Sequence, residues 1–348
     1  MALKFVYVVV SAQEDYYADR VAISIRSLRK HNPGCHVIVL SDTDTVENAS
    51  GTRGLFKEMA DEVITKKYDD DISRLQRSRD LKTSIRQIVQ GDFCFLDIDT
   101  IITGSLSDLE NFQCDISIAL QRDYIDPVPE MSLEYTREYN KQRGIPLDCT
   151  HGITQHFNSG IIFCKDTPAS HKLFEKWHSL WEESATVYNW FWDQADLNRA
   201  NALLGNMIVP LDGIYNCMAL GFRYAIPKLH DCRIFHYFSN SSKLSYLPVK
   251  SSEFLTNFRN KGFTKEVEDV IENIREIYFD GLYIQEKLRH EKLIEGIKEE
   301  YHKRPYTYTE KLANKVSTKI PIIEKCVAFL YQGVGKIRKN VKRPEKTI

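Results

Sequence analysis

Residues 95–106 read FLDIDTIITGSL, an apolar run that interrupts itself with two carboxylates two positions apart. Phe93, Cys94, Phe95 and Leu96 lead into the pair and Ile101 and Ile102 follow it, so the stretch reads as the end of a buried strand. Strand side chains alternate between faces, which points Asp97 and Asp99 the same way and turns Ile98 back into the protein. Two carboxylates aimed together repel unless a cation lies between them, and burying them unpaired is costly. A hard divalent ion, Mn²⁺ or Mg²⁺, suits this oxygen-rich pair and would bridge it to the phosphates of a nucleotide. A bare DxD equally suits a solvated strand end, so the surrounding chain has to decide.

Working outward, KFVYVVV (residues 4–10) reads as a first strand, and Val21, Ile25 and Leu28 recur at helical spacing before HNPG. CHVIVLSD (35–42), DEVITKKY (61–68), a polar helix over roughly 73–89 and DFCFLD (92–97) continue the alternation. This pattern predicts a largely parallel sheet covered by helices on both faces, with the acid pair at the tip of a central strand, about the fourth. Ligands of such sheets bind beyond the carboxyl ends of the strands. Residues 123–156, with Pro127, Pro129, Gly144 and Pro146, read as a lid or binding loop. FNSGIIFCK (157–165) reads as a strand, and Trp177, Trp181, Trp190 and Trp192 mark an aromatic helix after it.

Composition narrows the function further. With 348 residues, 43% hydrophobic and 27% charged, the chain has enough apolar material for a substantial core and is not a disordered protein. The scattered cysteines form no CxxC pair, which excludes a zinc ribbon or redox dithiol and suggests free thiols in a reducing, cytoplasmic setting. MALKFVYVVVSAQ reads as a strand rather than a signal peptide, and no run of about 18 apolar residues predicts a spanning helix. The glycosylation-type triplets at Asn48 and Asn240 therefore carry little weight. There is no GxxxxGK[ST], no GxGxxG after the first strand and no GxSxG, so a bound diphosphate needs a metal and side-chain cations. A rival reading, the phosphotransferase motif hhhDxDxT, needs its Thr one place later than Thr100 and belongs on a first strand. Residues 303–348 carry 12 Lys+Arg against 3 Asp+Glu, a charge of +9, leaving −10 of the net −1 to residues 1–302. No nucleic-acid partner is expected, and the cationic end is the part drawn to anionic surfaces.

FVYVVVSAQEDYYADRVAISIRSLRKHNPG, FLDIDT, FNSGIIFCK, WDQADLNRAN and IFHYFSNSSK, in that order, resemble the metal-dependent GT-A glycosyltransferases of family 8 over roughly residues 4–245. The resemblance implies a GT-A nucleotide-diphospho-sugar transferase fold, an α/β Rossmann-like mixed sheet flanked by helices. The catalytic domain would occupy residues 1–250 and a helical region with a basic amphipathic tail residues 251–348. It also implies a UDP-sugar donor. Asp97 and Asp99, with Ile98 between them, match the DxD, and His236 of the HY pair matches the third metal ligand. Taken alone, a His between Phe235 and Tyr237 reads as a core residue, and only its place after the other motifs makes it a ligand. Ser11 and Ala12 match the backbone that meets the base, and Glu14 and Tyr17 the positions that contact and stack on uracil. The family places a cation on the helix before the DxD strand; Arg79, Lys82 and Arg86 compete, and Lys82 is chosen. Asn158 heads NSG, whose glycine gives backbone access to the donor. Asp193 and Gln194 match the pair beside the transferred sugar. The sequence departs from the family at Ala195, where an acid is lost, and at HYFSNSSK, where Ser239 replaces a Gly and Lys243 arrives one residue late.

The implied reaction is metal-dependent hexosyl transfer, with retention, from a UDP-sugar to a glycan or lipid-linked glycan; the alternative is a non-catalytic nucleotide-sugar or glycan-binding protein of the same fold. Asp193 and Gln194 are the catalytic residues of this reading, with Lys82 and Lys243 helping at the phosphates. At the C-terminus, Val316, Ile320, Ile323, Val327, Leu330, Val334 and Ile337 form an apolar stripe beside KIRKNVKRPEK. It suits a helix lying on an anionic inner leaflet, and suits equally one packed on the catalytic domain.

Overall fold

The computed structural model describes residues 3–121, 155–219, 228–239 and 244–303. Lys243, the apolar stripe from Val316 to Ile337 with its cationic neighbours, and all but the last two residues of the 123–156 loop lie outside them. In chain order the elements are β1 (Lys4–Val9), α1 (Tyr17–His31), β2 (His36–Asp42), α2 (Thr43–Asn48), α3 (Leu55–Met59) and β3 (Glu62–Lys66). Then come α4 (Arg74–Thr83), α5 (Ile85–Ile88), β4 (Phe93–Leu96), β5 (Thr100–Ile102), β6 (Ile116–Leu120) and β7 (Phe157–Cys164). The remainder is α6 (Pro168–Tyr188), α7 (Asp193–Leu203), β8 (Val209–Leu211), β9 (Cys217–Met218), β10 (Ile234–His236), α8 (Ser252–Lys261), α9 (Lys265–Glu272) and α10 (Ile274–Lys303).

β1 shows why the chain layers as it does. Its alternate side chains enter two cores: Phe5, Tyr7 and Val9 pack with Val21, Ile25 and Leu28 of α1, whereas Val6 and Val8 join Leu81, Leu173, Phe174 and Trp177 on the other face. α8 and α9 add Phe254, Leu255, Phe258, Val267 and Ile271 to the α1 side. The main sheet has seven strands in the order β3-β2-β1-β4-β7-β6-β8. β3, β2, β1 and β4 are parallel, but β7 runs antiparallel to both β4 and β6. The alternation of strands and helices predicts a largely parallel sheet; the sheet is mixed. All of FNSGIIFC is buried, and a strand covered on both faces carries no alternation that would betray its direction. The expected helix over 73–89 is likewise two helices. Ser84 and Thr83 turn their hydroxyls onto the carbonyls of Asp80 and Arg79, competing with the helical ladder where α4 gives way to α5.

Residues 95–106 are not one strand. β4 ends at Leu96, Asp97–Asp99 form a turn, and β5 belongs to a second, three-stranded sheet of order β5-β10-β9. Thr100 closes that turn by donating to the Asp97 carbonyl at 2.8 Å. Its single proton being spent, Thr100 accepts from Ser24 at 2.8 Å, and Ser24 in turn accepts from the buried Tyr7 hydroxyl at 3.1 Å. The chain divides into compact units Met1–Ile284 and Gln285–Ile348. In the second, Leu293, Ile294 and Ile297 of α10 are exposed. Among the described residues no helix is long and apolar enough to cross a membrane.

Thr100→Val keeps the shape but leaves the Ser24 hydroxyl and the Asp97 carbonyl without their buried partner. It should destabilise the fold by about 1–3 kcal/mol, read as a lower thermal midpoint, with Thr100→Ser close to the parent. A Val variant that melts with the parent would refute this role.

Candidate active site

The acid pair meets its third partner because of strand register. β10 pairs antiparallel with β5, setting His236 opposite Thr100 and Phe235 opposite Ile101. Asp97 N–H donates to Gly160 O at 2.8 Å and Tyr237 N–H to Asp99 O at 3.1 Å, fixing the turn between β7 and β10. One ligand atom from each of Asp97, Asp99 and His236 then lies within 4.8 Å of the others. His236 Nε2 is 3.3 Å from Asp99 Oδ1, while Nδ1 is 3.0 Å from Asn216 Oδ1. An amide oxygen only accepts, so Nδ1 carries a proton and Nε2 faces the carboxylates. Two carboxylate oxygens and an imidazole nitrogen fit a divalent cation.

The imidazole is held on every side. Phe238, in the left-handed region at φ 50°, stacks on it at 4.0 Å and 13°. Lys250 secures that loop by donating to the carbonyls of Tyr237 at 3.2 Å and Phe238 at 2.8 Å. A Cβ on Gly160 would stand 2.4 Å from His236 Cε1, so the room left by the glycine of NSG is taken by the imidazole. Asn216, fully buried, also donates to Asn158 Oδ1 at 2.9 Å, and Asn158 donates to Gln121 at 2.8 Å and Gln194 at 3.2 Å.

A second cluster adjoins the first. Lys82, nearly fully buried, stands 3.1 Å from Asp97 Oδ1, 3.4 Å from Asp193 Oδ2 and 3.3 Å from Ser159 Oγ. Arg79 Nε is 3.0 Å from Asp193 Oδ1, and Ser159 donates to Asp193 Oδ2 at 3.0 Å. Burial pushes the Asp97 carboxyl up, against the pull of Lys82, and the Asp99 charge adds to it. For Asp99 burial acts the same way, but His236 and the Ser239 N–H at 2.7 Å outweigh it and hold the group well below the usual range. Asp193 is also held low, as Lys82, Arg79 and Ser159 overcome its burial. Of the competing cations, Arg86 faces elsewhere, donating to Gly91 O at 2.9 Å with Asp166 at 3.2 Å.

Two adjoining cavities make one cleft. One, of about 330 Å³, is lined by Val8, Val10, Tyr17, Phe95, Ile98 and Arg74 among others. Its neighbour, of about 240 Å³, is lined by Asn158, Ser159, Gly160, Asp193, Gln194 and His236 among others, and Lys82, Asp97 and Asp99 border both. Ser11, Ala12 and Glu14 are outside either lining. Ser11 Oγ and Ala12 N–H both donate to Asp15, the Ala12 carbonyl accepts from Arg53, and Glu14 pairs with Arg74 at 3.1 Å.

The chain matches the sequence model of glycosyl transferase family 8 over residues 8–243. It belongs to that family. Membership carries the GT-A fold and glycosyltransferase activity, and Asp97, Asp99 and His236 are the possible metal site of this enzyme. No curated protein matches the chain. Among solved structures, mouse xyloside xylosyltransferase 1 in its apo form is similar at TM-score 0.45 and 15% identity, covering 69% of this chain and 99% of that one. The galactosyltransferase LgtC in complex with donor and acceptor sugar analogues is similar at TM-score 0.45 and 13% identity, covering 77% and 100%. The glycosyltransferase GlyE of Streptococcus pneumoniae TIGR4 is similar at TM-score 0.46 and 17% identity, covering 80% and 64%.

Sequence reading of this glycosyltransferase missed Asn216, Ser159 and Gln121, which bond to the site residues but stand in no motif of their own; Ser159 was the unread middle letter of NSG. The acid nearest the departure at Ala195 is Asp196. It does not line the cleft: Asp196 is buried against α6, accepting from Ser184 Oγ at 3.0 Å, with Oδ2 unbonded. Burial, only partly countered by Ser184 and Arg199, pushes its carboxyl up to about 7.

Replacing Asn216 with Leu frees the His236 ring to change tautomer and should weaken Mn²⁺ binding, measured calorimetrically, about 10–100-fold. Unchanged affinity would show that Asn216 does not orient the ligand. Asp196 gives a pH signature. Its folded pKa of about 7 lies above the unfolded value of about 3.9, so the native state holds the extra proton and stability falls as pH rises between them. Asp196→Asn should flatten that decline and gain stability at pH 8 relative to pH 4.5 in denaturant unfolding. Parallel pH curves for parent and variant would contradict it.

Proposed function

We propose that this glycosyltransferase moves a hexose from a UDP-sugar to a hydroxyl of a glycan or lipid-linked glycan, with retention of configuration and dependence on Mn²⁺ or Mg²⁺. The observation that carries the reading is the convergence of Asp97, Asp99 and His236 on one side of Lys82 with Asp193 and Gln194 on the other. A divalent ion held by Asp97, Asp99 and His236 would supply Lewis-acid stabilisation of the diphosphate leaving group. Tyr17 offers a flat face for a pyrimidine in the larger cavity, and the smaller one, with Asn158, Asp193 and Gln194, suits the sugar.

In the reaction the C1–O bond to UDP breaks with its electron pair leaving on the phosphate, and the acceptor oxygen bonds to C1. Both Asp193 oxygens are engaged, by Arg79 on one and by Lys82 and Ser159 on the other, which removes it as a free nucleophile. Gln194 carries an amide, a poor nucleophile. These constraints favour attack from the leaving-group face, with the acceptor proton passing to the departing phosphate. Asp193 and Gln194 would then stabilise positive charge on the sugar ring.

The test is hydrolysis of UDP-glucose and UDP-galactose with and without Mn²⁺. Turnover should require the metal and fall by about a hundredfold or more in Asp99→Ala. Metal-independent turnover, or full activity in that variant, would defeat the reading.

A further inference from the structure

An indole stands half-exposed in the cleft. Trp192 is 44% exposed, although large apolar side chains of this protein are otherwise mostly buried around it: Trp177, Trp181 and Trp190 are 0%, 5% and 8% exposed. It borders both cavities. Its backbone is not free to tuck the ring away. Trp181 Nε1 donates to the carbonyl of Phe191 at 3.2 Å and Trp177 Nε1 to that of Asp193 at 2.8 Å, so two buried indoles grip the residues on either side of Trp192. Asn189, left-handed at φ 50°, ends α6 and starts this short span. The Arg79 guanidinium stands over one side of the ring, 5.7 Å from its centroid, and the tilted Trp190 ring lies 6.4 Å away, yet nearly half of the side chain stays exposed.

The company it keeps defines a ligand chemistry. The smaller cavity offers hydrogen-bonding edges from Asn158, Ser159, Asp193 and Gln194. Its other aromatic ring, Phe238, has a face already covered by His236. A fixed, exposed aromatic face beside convergent polar groups matches a pyranose, which has an apolar C–H face and a rim of hydroxyls. We propose that Trp192 is a specificity residue, the platform on which a pyranose ring stacks during transfer. The inference rests on the hexosyltransferase reading above for the identity of its ligand. The pyranose has two sources, the sugar of the donor and that of the acceptor.

The experiment uses the full chain with Mg²⁺ in three forms: parent, Trp192→Ala and Trp192→Phe. Calorimetry compares UDP with UDP-glucose and UDP-galactose, and saturation-transfer NMR with UDP present reads methyl α-glucopyranoside and methyl α-galactopyranoside. If the donor sugar stacks, Trp192→Ala loses about fivefold to tenfold in UDP-sugar affinity while UDP binding holds, and Phe restores most of it. If the acceptor sugar stacks, UDP-sugar affinity holds and the glycoside signals vanish in the Ala variant but persist in Phe. Loss of UDP binding by the same factor, or no sugar-dependent change in either arm, overturns the proposal. Failure of the parent to bind UDP with Mg²⁺ would instead sink the donor reading, while the glycoside arm still judges Trp192.

Discussion

Three residue pairs between Thr100–Ile102 and Ile234–His236 hold the centre of this protein together. The chain leaves the main sheet at Leu96, turns through the acid pair and enters the small sheet at Thr100, so the carboxylates stand where two sheets part. Only the pairing of β5 with β10 brings an imidazole to that corner. A slip of one residue would turn His236 to the opposite face. Ile101, Ile102, Ile234 and Phe235, all without solvent exposure, make such a slip costly by locking the strands into the α1-side core. The Tyr7–Ser24–Thr100 chain, the vacancy at Gly160 and the Asn216 amide then refine an arrangement that register has already set.

Electrostatics explains the crowding around it. Asp97, Asp99 and Asp193 bring three carboxylates into little volume, and Lys82 and Arg79 return two cations, both of them on Asp193. Lys82 in particular is buried between Asp97 and Asp193 and serves both. The balance of these five groups is one negative charge, with the His236 imidazole turned toward it. A divalent cation would reverse the sign, and a positive floor is what an anionic diphosphate needs in a partly desolvated cleft.

Much of this was legible in the chain. The strand and helix alternation located the sheet, and the order of the motifs pointed to Asp97, Asp99, His236, Lys82, Asp193 and Gln194 before any of them could be seen as neighbours. The reasoning for the acid pair was partly wrong, since the carboxylates converge through a turn and not through strand alternation. Nothing local distinguishes a strand that continues from one that corners between sheets when both arms are apolar. The reversed direction of β7 was invisible for a related reason, as a doubly covered strand has no polar side. Asn216 and Gln121 escaped because a hydrogen bond across the fold leaves no spacing to read, and Asp196 because an acid beside a motif looks the same in sequence whether it faces the cleft or another helix.

The Ser239 N–H that meets Asp99 lies 140 positions along the chain from it. That separation makes the corner a long-range structure. Loop closure of this length must be completed before the contacts that join the carboxylates to His236 and the Ser239 N–H are collected. An ion that needs the imidazole as well cannot select the unfolded or half-paired chain. Such an ion would bind the finished corner alone, and by mass action would draw the whole population toward it. Affinity for such an ion would then also be a proofreading signal, reporting that two segments far apart in the chain have met in the right register.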